Sequence, residues 1–162
     1  MTVTTLSPAR QRAGALVRAA VCAAVVIGVD QLTKRTVAAG IAPGRQRHLL
    51  PGLTLVHVRN TGVAFSLLSG GGPLVLVVTL LALALLVGYL LARPGRRLLW
   101  LPTGLLIGGA LGNLIDRIAS GAVTDFIKLP DWPAFNVADA CITVGVILLV
   151  AVLELGGRRD GR

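Results

Sequence analysis

The apolar segment from Pro73 to Ala92 limits the possible folds of this chain more than any other feature of its sequence. It contains twenty residues and no charged side chain. Because a helix rises about 1.5 Å per residue, this segment can cross the roughly 30 Å hydrocarbon layer of a bilayer. Hydrophobic residues make up 54% of the chain and charged residues only 14%, which is the composition of a membrane protein.

Three further apolar segments extend this interpretation to four transmembrane helices. Leu98–Ile115 provides eighteen uncharged residues, and Ala140–Leu153 provides fourteen and extends upstream towards Phe135. The first segment is interrupted by Arg18, whose side chain can snorkel to the interface. We predict an all-α membrane protein with one domain, residues 1–162, and spans at about 13–33, 73–92, 98–117 and 136–154.

The N-terminal region also fits a second interpretation, a cleaved signal peptide. A basic stretch precedes an apolar one, and Ala38-Ala39-Gly40 has the small residues of a cleavage site. Asp30 and Lys34 lie between the apolar stretch and those small residues. Their position favours a retained helix with polar residues at its far end.

The connection between the first two predicted helices has the pattern of a β-strand. Leu53–Val58 is alternating and rich in β-branched residues, and Asn60-Thr61-Gly62 follows it as a turn. We therefore expect a small extracytoplasmic β region within residues 40–70.

The basic residues predict the orientation of the four helices. Four spans place both termini on one side, which carries nine basic residues against seven on the other. The nine lie in short segments, three of them between Arg93 and Arg97, so this side is expected to be cytoplasmic. The net charge of +9 does not indicate nucleic-acid binding, because the basic residues are not interleaved with aromatic ones.

The acidic residues gather on the opposite, outer side. Asp125 lies in an apolar segment after the third span, and Asp139 lies three residues after Asn136 at the start of the fourth. Asn136 and Asp139 alone could be a helix cap and a first-turn acid, which is a structural role. An antiparallel helix pair would also bring Asp125 close to Asp139. Five of the seven carboxylates belong to this outer group: Asp30, Asp116, Asp125, Asp131 and Asp139.

Two adjacent carboxylates cannot both ionise cheaply, so one keeps its proton at neutral pH. Such a pair suits amide hydrolysis without a metal or an organic cofactor. The ionised partner takes a proton from the attacking water, and the protonated partner supports the carbonyl oxygen and delivers a proton to the leaving amine. A serine nucleophile activated by Lys34 or Lys128 is the catalytic alternative, but the outer serines lack SxxK spacing.

The third predicted span combines a glycine repeat with a polar end. Glycines at four-residue spacing allow a neighbouring helix to approach closely. Asp116 and Arg117 near its end fit either an ion pair with each other or contact with a substrate, and Asn113 shares their face. The repeat consists of Gly104, Gly108 and Gly112.

Five short motifs occur in order along the chain: Asp30–Lys34, Asn60–Phe65, Gly108–Arg117, Val123–Phe126 and Phe135–Asp139. Together they resemble the motifs of the lipoprotein signal peptidases, also called signal peptidase II, which are aspartic peptidases of bacterial membranes. The resemblance implies an endopeptidase that removes the signal peptide from prolipoproteins by cleaving before a diacylglyceryl-modified cysteine.

The resemblance also implies roles for individual residues. Asp125 and Asp139 match the catalytic dyad that activates water, whereas Asp30 and Lys34 match structural or peripheral positions. Six further residues match supporting or substrate-binding positions: Asn60, Gly62, Asn113, Asp116, Arg117 and Asn136.

The resemblance further implies a multi-pass protein of the bacterial inner membrane, with cytoplasmic termini and an active site near the extracytoplasmic face. A small extracytoplasmic β-cradle between helices 1 and 2 belongs to that fold. The expected partners are prolipoprotein substrates and membrane lipid, with no nucleic acid and no cofactor. A monomer that is inhibited by globomycin-type lipopeptides is expected.

Two interpretations from other functional classes remain at this point. In a small ion-coupled transporter, intramembrane carboxylates relay protons, and such carboxylates are expected near the bilayer midplane. Here the acids gather towards one end of the predicted helices. A purely structural membrane subunit would need no paired acids.

Overall fold

The computed structural model describes residues 7–61, 72–93, 96 and 98–160 of the chain. Gly62, one of the expected site residues, lies outside this part. The described residues form helices α1 (Pro8–Gly40), α2 (Gly72–Ala92), α3 (Trp100–Ser120) and α4 (Val137–Asp160). They also form strands β1 (Gln46–Leu50), β2 (Leu53–Asn60) and β3 (Val123–Lys128).

Helix α1 begins at a local cap and runs further than the first predicted span. The Arg10 backbone N–H donates to the Ser7 hydroxyl at 3.5 Å, and Pro8 fits the first turn because no N–H is needed there. The helix continues past residue 33 to Gly40. Asp30 and Lys34, one turn apart, form an ion pair at 2.8 Å, so these polar residues do not end the helix.

Two helices have the length and composition of membrane spans within the described part of the chain, namely Ala9–Gly40 and Val137–Leu155. Helix α2 contributes a shorter apolar segment, Leu80–Ala92. Both long helices expose large apolar side chains, such as Val21 on α1 and Ile147 on α4. Apolar side chains in these positions suit contact with lipid tails.

The glycine repeat of α3 packs closely against a neighbouring helix, as its spacing predicts, and that helix is α1. A Cβ added at Gly104 would lie 2.6 Å from Cys22 Cβ, and one at Gly108 would lie 2.7 Å from Val26 Cβ. Gly109 faces the other neighbour, because a Cβ there would lie 2.6 Å from the Ala138 carbonyl oxygen in α4. Small residues therefore let α1, α3 and α4 pack closely.

The sheet is antiparallel with strand order β1-β2-β3. The strand predicted at Leu53–Val58 is confirmed as part of β2. The third strand was not predicted, because we placed the β region only within residues 40–70. Strand β3 is a short segment after α3 whose partner is distant in sequence, and the pairing sets Asp125 opposite Val58.

Helix α3 is linked to β3 by a glycine in the left-handed region. Gly121 has a φ of 73° and donates its N–H to the Arg117 carbonyl at 3.0 Å. This conformation closes the helix at little cost only for glycine. At its other end β3 bridges to Phe135 through Ile127, so the start of α4 is held beside the strand.

Candidate active site

Asp125 points from β3 into a buried polar environment. Its side chain is only 2% exposed. Asn60 Nδ2 donates to its Oδ2 at 2.8 Å, and Asn136 Nδ2 donates to its Oδ1 at 2.7 Å. Burial raises the pKa of Asp125 above its ordinary range, and the negative charge of Asp139 adds to this increase. The two amide hydrogen bonds and the Lys34 charge oppose it.

Asp139 occupies the first turn of α4. Its backbone N–H donates to Asn136 Oδ1 at 2.9 Å, and the Asn136 N–H donates back to Asp139 Oδ2 at 3.3 Å. This reciprocal pair is a capping box, so the structural role foreseen for both residues is confirmed. Asn113 Nδ2 donates to the other carboxylate oxygen of Asp139 at 2.7 Å.

Asn136 brings the two carboxylates together. Its side chain is fully buried, donates to Asp125 and accepts from the backbone of Asp139. The strand β3 and the start of α4 therefore converge on one amide group. Each of the four carboxylate oxygens accepts a hydrogen bond from an asparagine, which fixes the orientation of both groups.

Asn113 links this pair to a second polar group between α1 and α3. Its Oδ1 accepts from Lys34 Nζ at 3.0 Å and from Asn136 Nδ2 at 3.2 Å. Lys34 Nζ also pairs with Asp30 Oδ2 at 2.8 Å and with Asp116 Oδ2 at 3.0 Å. We refer to Lys34, Asp30 and Asp116 as the lysine cluster.

The resemblance assigned structural or peripheral positions to Asp30 and Lys34, and the structure places both inside the protein, next to the carboxylate pair. Asp30 is fully buried and Lys34 is 4% exposed. Asp30 Oδ1 accepts the backbone N–H of Ala138 at 2.9 Å, next to Asp139 in the first turn of α4. Both residues thus contact the groups that hold the carboxylate pair, because α1 packs closely against α3 and α4.

Asp116 pairs with Lys34 and not with Arg117, so the ion pair considered between sequence neighbours is replaced by one between helices. Arg117 is exposed and donates to the Asn113 carbonyl of its own helix at 3.4 Å. Asp116 Oδ2 also accepts the backbone N–H of Thr124 at 3.1 Å. Asp116 therefore anchors the start of β3, one residue before Asp125.

Sequence reasoning gave no role to two further contacts, one within this network and one beside it. Gln31 Nε2 donates to Asp116 Oδ1 at 2.8 Å and to the Gly112 carbonyl at 3.2 Å. The Arg59 guanidinium donates to the Ser120 carbonyl at 2.8 Å, beside Asn60 in β2. The position of Gln31 in the Asp30–Lys34 motif was the available signal for the first contact.

Two carboxylates that both accept hydrogen bonds from Asn136 lie beside apolar helices of membrane-spanning length and a small sheet, and this combination fits a membrane enzyme. The family model described as signal peptidase (SPase) II matches residues 22–154. The lipoprotein signal peptidase of Symbiobacterium thermophilum is 44% identical over 146 residues, which cover 86% of this chain and 95% of that protein. That of Syntrophomonas wolfei is 43% identical over 139 residues, which cover 85% and 93%.

Solved structures agree with these relatives. A bacterial membrane enzyme solved by the in meso method at 2.3 Å resolution superposes with a TM-score of 0.76 and 32% identity. The match covers 89% of this chain and 91% of that one. The chain therefore belongs to the signal peptidase II family, and it is a peptidase, a hydrolase acting on peptide bonds.

Proposed function

We propose that this protein removes the signal peptide from prolipoproteins by cleaving immediately before a diacylglyceryl-modified cysteine, with Asp125 and Asp139 as its catalytic dyad. Membership of the signal peptidase II family supports the substrate. The observation that carries the catalytic assignment is the convergence of both carboxylates on Asn136.

The two aspartates have different surroundings, and these support different roles. Burial raises the pKa of Asp125, which favours Asp125 as the partner that carries the proton. Asp139 lies in the first turn of α4, where Asn113 and the Asn136 backbone donate to its two carboxylate oxygens and fix their orientation. Asp139 is therefore the base that takes a proton from water, and Asp125 is the acid.

The reaction then proceeds without a covalent intermediate. Water attacks the peptide carbonyl while Asp139 takes its proton and Asp125 donates a proton to the carbonyl oxygen. The resulting diol collapses as Asp125 recovers a proton from a hydroxyl group and Asp139 gives its proton to the leaving amine. Both carboxyl groups return to their initial states, and the peptide carbon–nitrogen bond is broken.

The membrane arrangement belongs to the same proposal. All four helices span the bacterial inner membrane, the termini are cytoplasmic, and the sheet forms a cradle at the extracytoplasmic face beside the dyad. The exposed apolar faces of α1 and α4 support this arrangement. A substrate with two acyl chains would reach the site of a monomer laterally from the bilayer. A globomycin-type lipopeptide would compete with the substrate for this site.

Cleavage of a purified diacylglyceryl-modified prolipoprotein tests the proposal. Asp125→Asn and Asp139→Asn should each abolish cleavage, whereas Asp131→Asn should cleave like wild type. Asp131 is an exposed aspartate with a φ of 54°, a conformation that asparagine also tolerates. Inactive wild-type protein, or folded Asp125→Asn or Asp139→Asn protein that still cleaves, would overturn the proposal.

A further inference from the structure

The proposed mechanism leaves the lysine cluster without a function. Placing a lysine and two aspartates in a largely buried cluster is expensive, and their mutual attraction only partly offsets the lost hydration. Lys34 is 4% exposed and Asp30 is fully buried. A hydrophobic contact would join α1 to α3 at least as well, so the position of the cluster next to the dyad requires another explanation.

The hydrogen bonds of Lys34 fix the direction of a chain of donors. An ammonium group can only donate, so the atom of Asn113 that faces Lys34 Nζ at 3.0 Å must be the carbonyl oxygen. The amide nitrogen of Asn113 then has to face Asp139, where it donates at 2.7 Å. The opposite orientation would set the Asn113 oxygen against the carboxylate of Asp139.

The side-chain amide of Asn136 continues this chain of hydrogen-bond donors. Its Nδ2 donates to Asn113 Oδ1 at 3.2 Å and to Asp125 Oδ1 at 2.7 Å. With Asn113 reversed, the two amide nitrogens would face each other. The orientation of Asn113 that Lys34 sets therefore allows Asn113 to donate to Asp139 and Asn136 to donate to Asp125.

We propose that Lys34 is a positioning residue for the dyad, because its ammonium group orients Asn113 so that the asparagine amides donate to Asp139 and Asp125. This inference rests on the proposed function, since it assumes that the two aspartates are catalytic. Lys34 acts through Asn113 and touches neither the substrate nor the reacting atoms.

The charges around Lys34 predict a second effect. Asp30 on its own helix and Asp116 on α3 contact the ammonium group, while Asp139 and Asp125 lie beyond Asn113. The positive charge of Lys34 lowers the pKa of Asp125 and so opposes the effect of burial. Removing that charge should raise the pKa of Asp125 further.

The test compares Lys34→Met with Arg35→Met, a matched loss of a positive charge at the next residue, which is exposed. Lys34→Met should lower kcat by about tenfold or more, the effect of losing an oriented donor to a charged group. The alkaline limb of its kcat/KM profile should move to higher pH, because loss of the Asp125 proton sets that limb. Lys34→Arg should return the alkaline limb to its wild-type position, because arginine keeps the positive charge. It should restore only part of kcat, since the planar guanidinium differs in shape from an ammonium group. Arg35→Met should match wild type in both.

A double-mutant cycle separates positioning from a merely structural role. In an Asn113→Ala background, Lys34→Met should lower kcat by less than about threefold, because its effect passes through the missing amide. If Lys34→Met does not fold, Asp30→Asn/Lys34→Met replaces it in the test. This double variant removes both charges together and keeps an oxygen for the Ala138 N–H. This double variant should reproduce the shifted alkaline limb.

The outcomes distinguish the two proposals. Wild-type protein that does not cleave the prolipoprotein, or active dyad variants, would overturn the proposed function. Active wild type, together with a Lys34→Met variant whose alkaline limb stays in place, would overturn only the positioning role. Failure of both Lys34→Met and Asp30→Asn/Lys34→Met to fold would also overturn the positioning role alone, because Lys34 would then be needed only for folding.

Discussion

Replacing Asn136 with alanine tests the geometry of the site most directly. The change removes the 2.7 Å donor to Asp125 and the 2.9 Å acceptor for the Asp139 backbone N–H. A hydrogen bond to a charged group contributes about 1.5–3 kcal/mol, which corresponds to about 10- to 150-fold in rate if the bond is needed in the transition state. Loss of the helix cap should also lower the free energy of unfolding by about 1 kcal/mol.

Asn136→Ser separates these two effects. A serine hydroxyl can still cap α4 by accepting the Asp139 N–H, but it is too short to replace the amide that donates to Asp125. We therefore expect Asn136→Ser to retain most of the thermal stability that Asn136→Ala loses, while both variants lose activity to a similar extent.

The assay is kcat/KM for cleavage of a diacylglyceryl-modified prolipoprotein, measured across pH beside thermal unfolding in detergent. Because the Asn136 hydrogen bond lowers the pKa of Asp125, its loss should move the alkaline limb to higher pH in both variants. If Asn136→Ser regains wild-type activity together with its stability, Asn136 is only a helix cap and the reasoning fails.

Three further predictions concern packing and charge. Gly109→Ala should lower the free energy of unfolding by about 1–3 kcal/mol and reduce activity, because its Cβ would lie 2.6 Å from a backbone oxygen of α4. Thermal unfolding checks this against Gly88→Ala, whose Cβ meets no described atom within 4 Å and which should not destabilise the protein. Asp30→Leu should lower the free energy of unfolding by about 3–5 kcal/mol, because it leaves Lys34 with one carboxylate partner. A shift of the thermal unfolding midpoint no larger than that of Gly88→Ala would contradict this. Because the pKa of Asp125 is raised in the folded state, its contribution to stability is complete at low pH and decreases as pH rises above about 4; wild type should therefore lose more stability than Asp125→Asn between pH 4 and 8, and parallel curves would refute the raised pKa.

Local patterns in the sequence predicted the parts of this structure that depend on neighbouring residues. The alternation in Leu53–Val58 predicted β2, and the spacing of Asn136 and Asp139 predicted the cap of α4. The glycine repeat of α3 predicted a close helix contact, although it did not indicate which neighbour each glycine meets.

The parts that were missed depend on contacts between distant residues. Strand β3 is only six residues long, and it forms a strand because β2 and Phe135 supply its hydrogen bonds. The central place of Lys34 follows from packing against Asn113, which is 79 residues away. Nothing in the Asp30–Lys34 motif alone indicates that its lysine contacts an asparagine of another helix.

The difference between the two aspartates follows from the elements that carry them. A strand residue such as Asp125 receives no help from a helix dipole, and β3 brings its side chain into a buried site where neutral amides are its hydrogen-bond donors. Asp139 is half-buried and lies in the first turn of α4, where Asn113 and the Asn136 backbone donate to its carboxylate. The proposed dyad therefore takes one carboxyl group from a strand and one from the start of a helix, and its geometry depends on how the two elements meet at Asn136. Moving either carboxylate one residue along its element should therefore abolish cleavage even when both remain present.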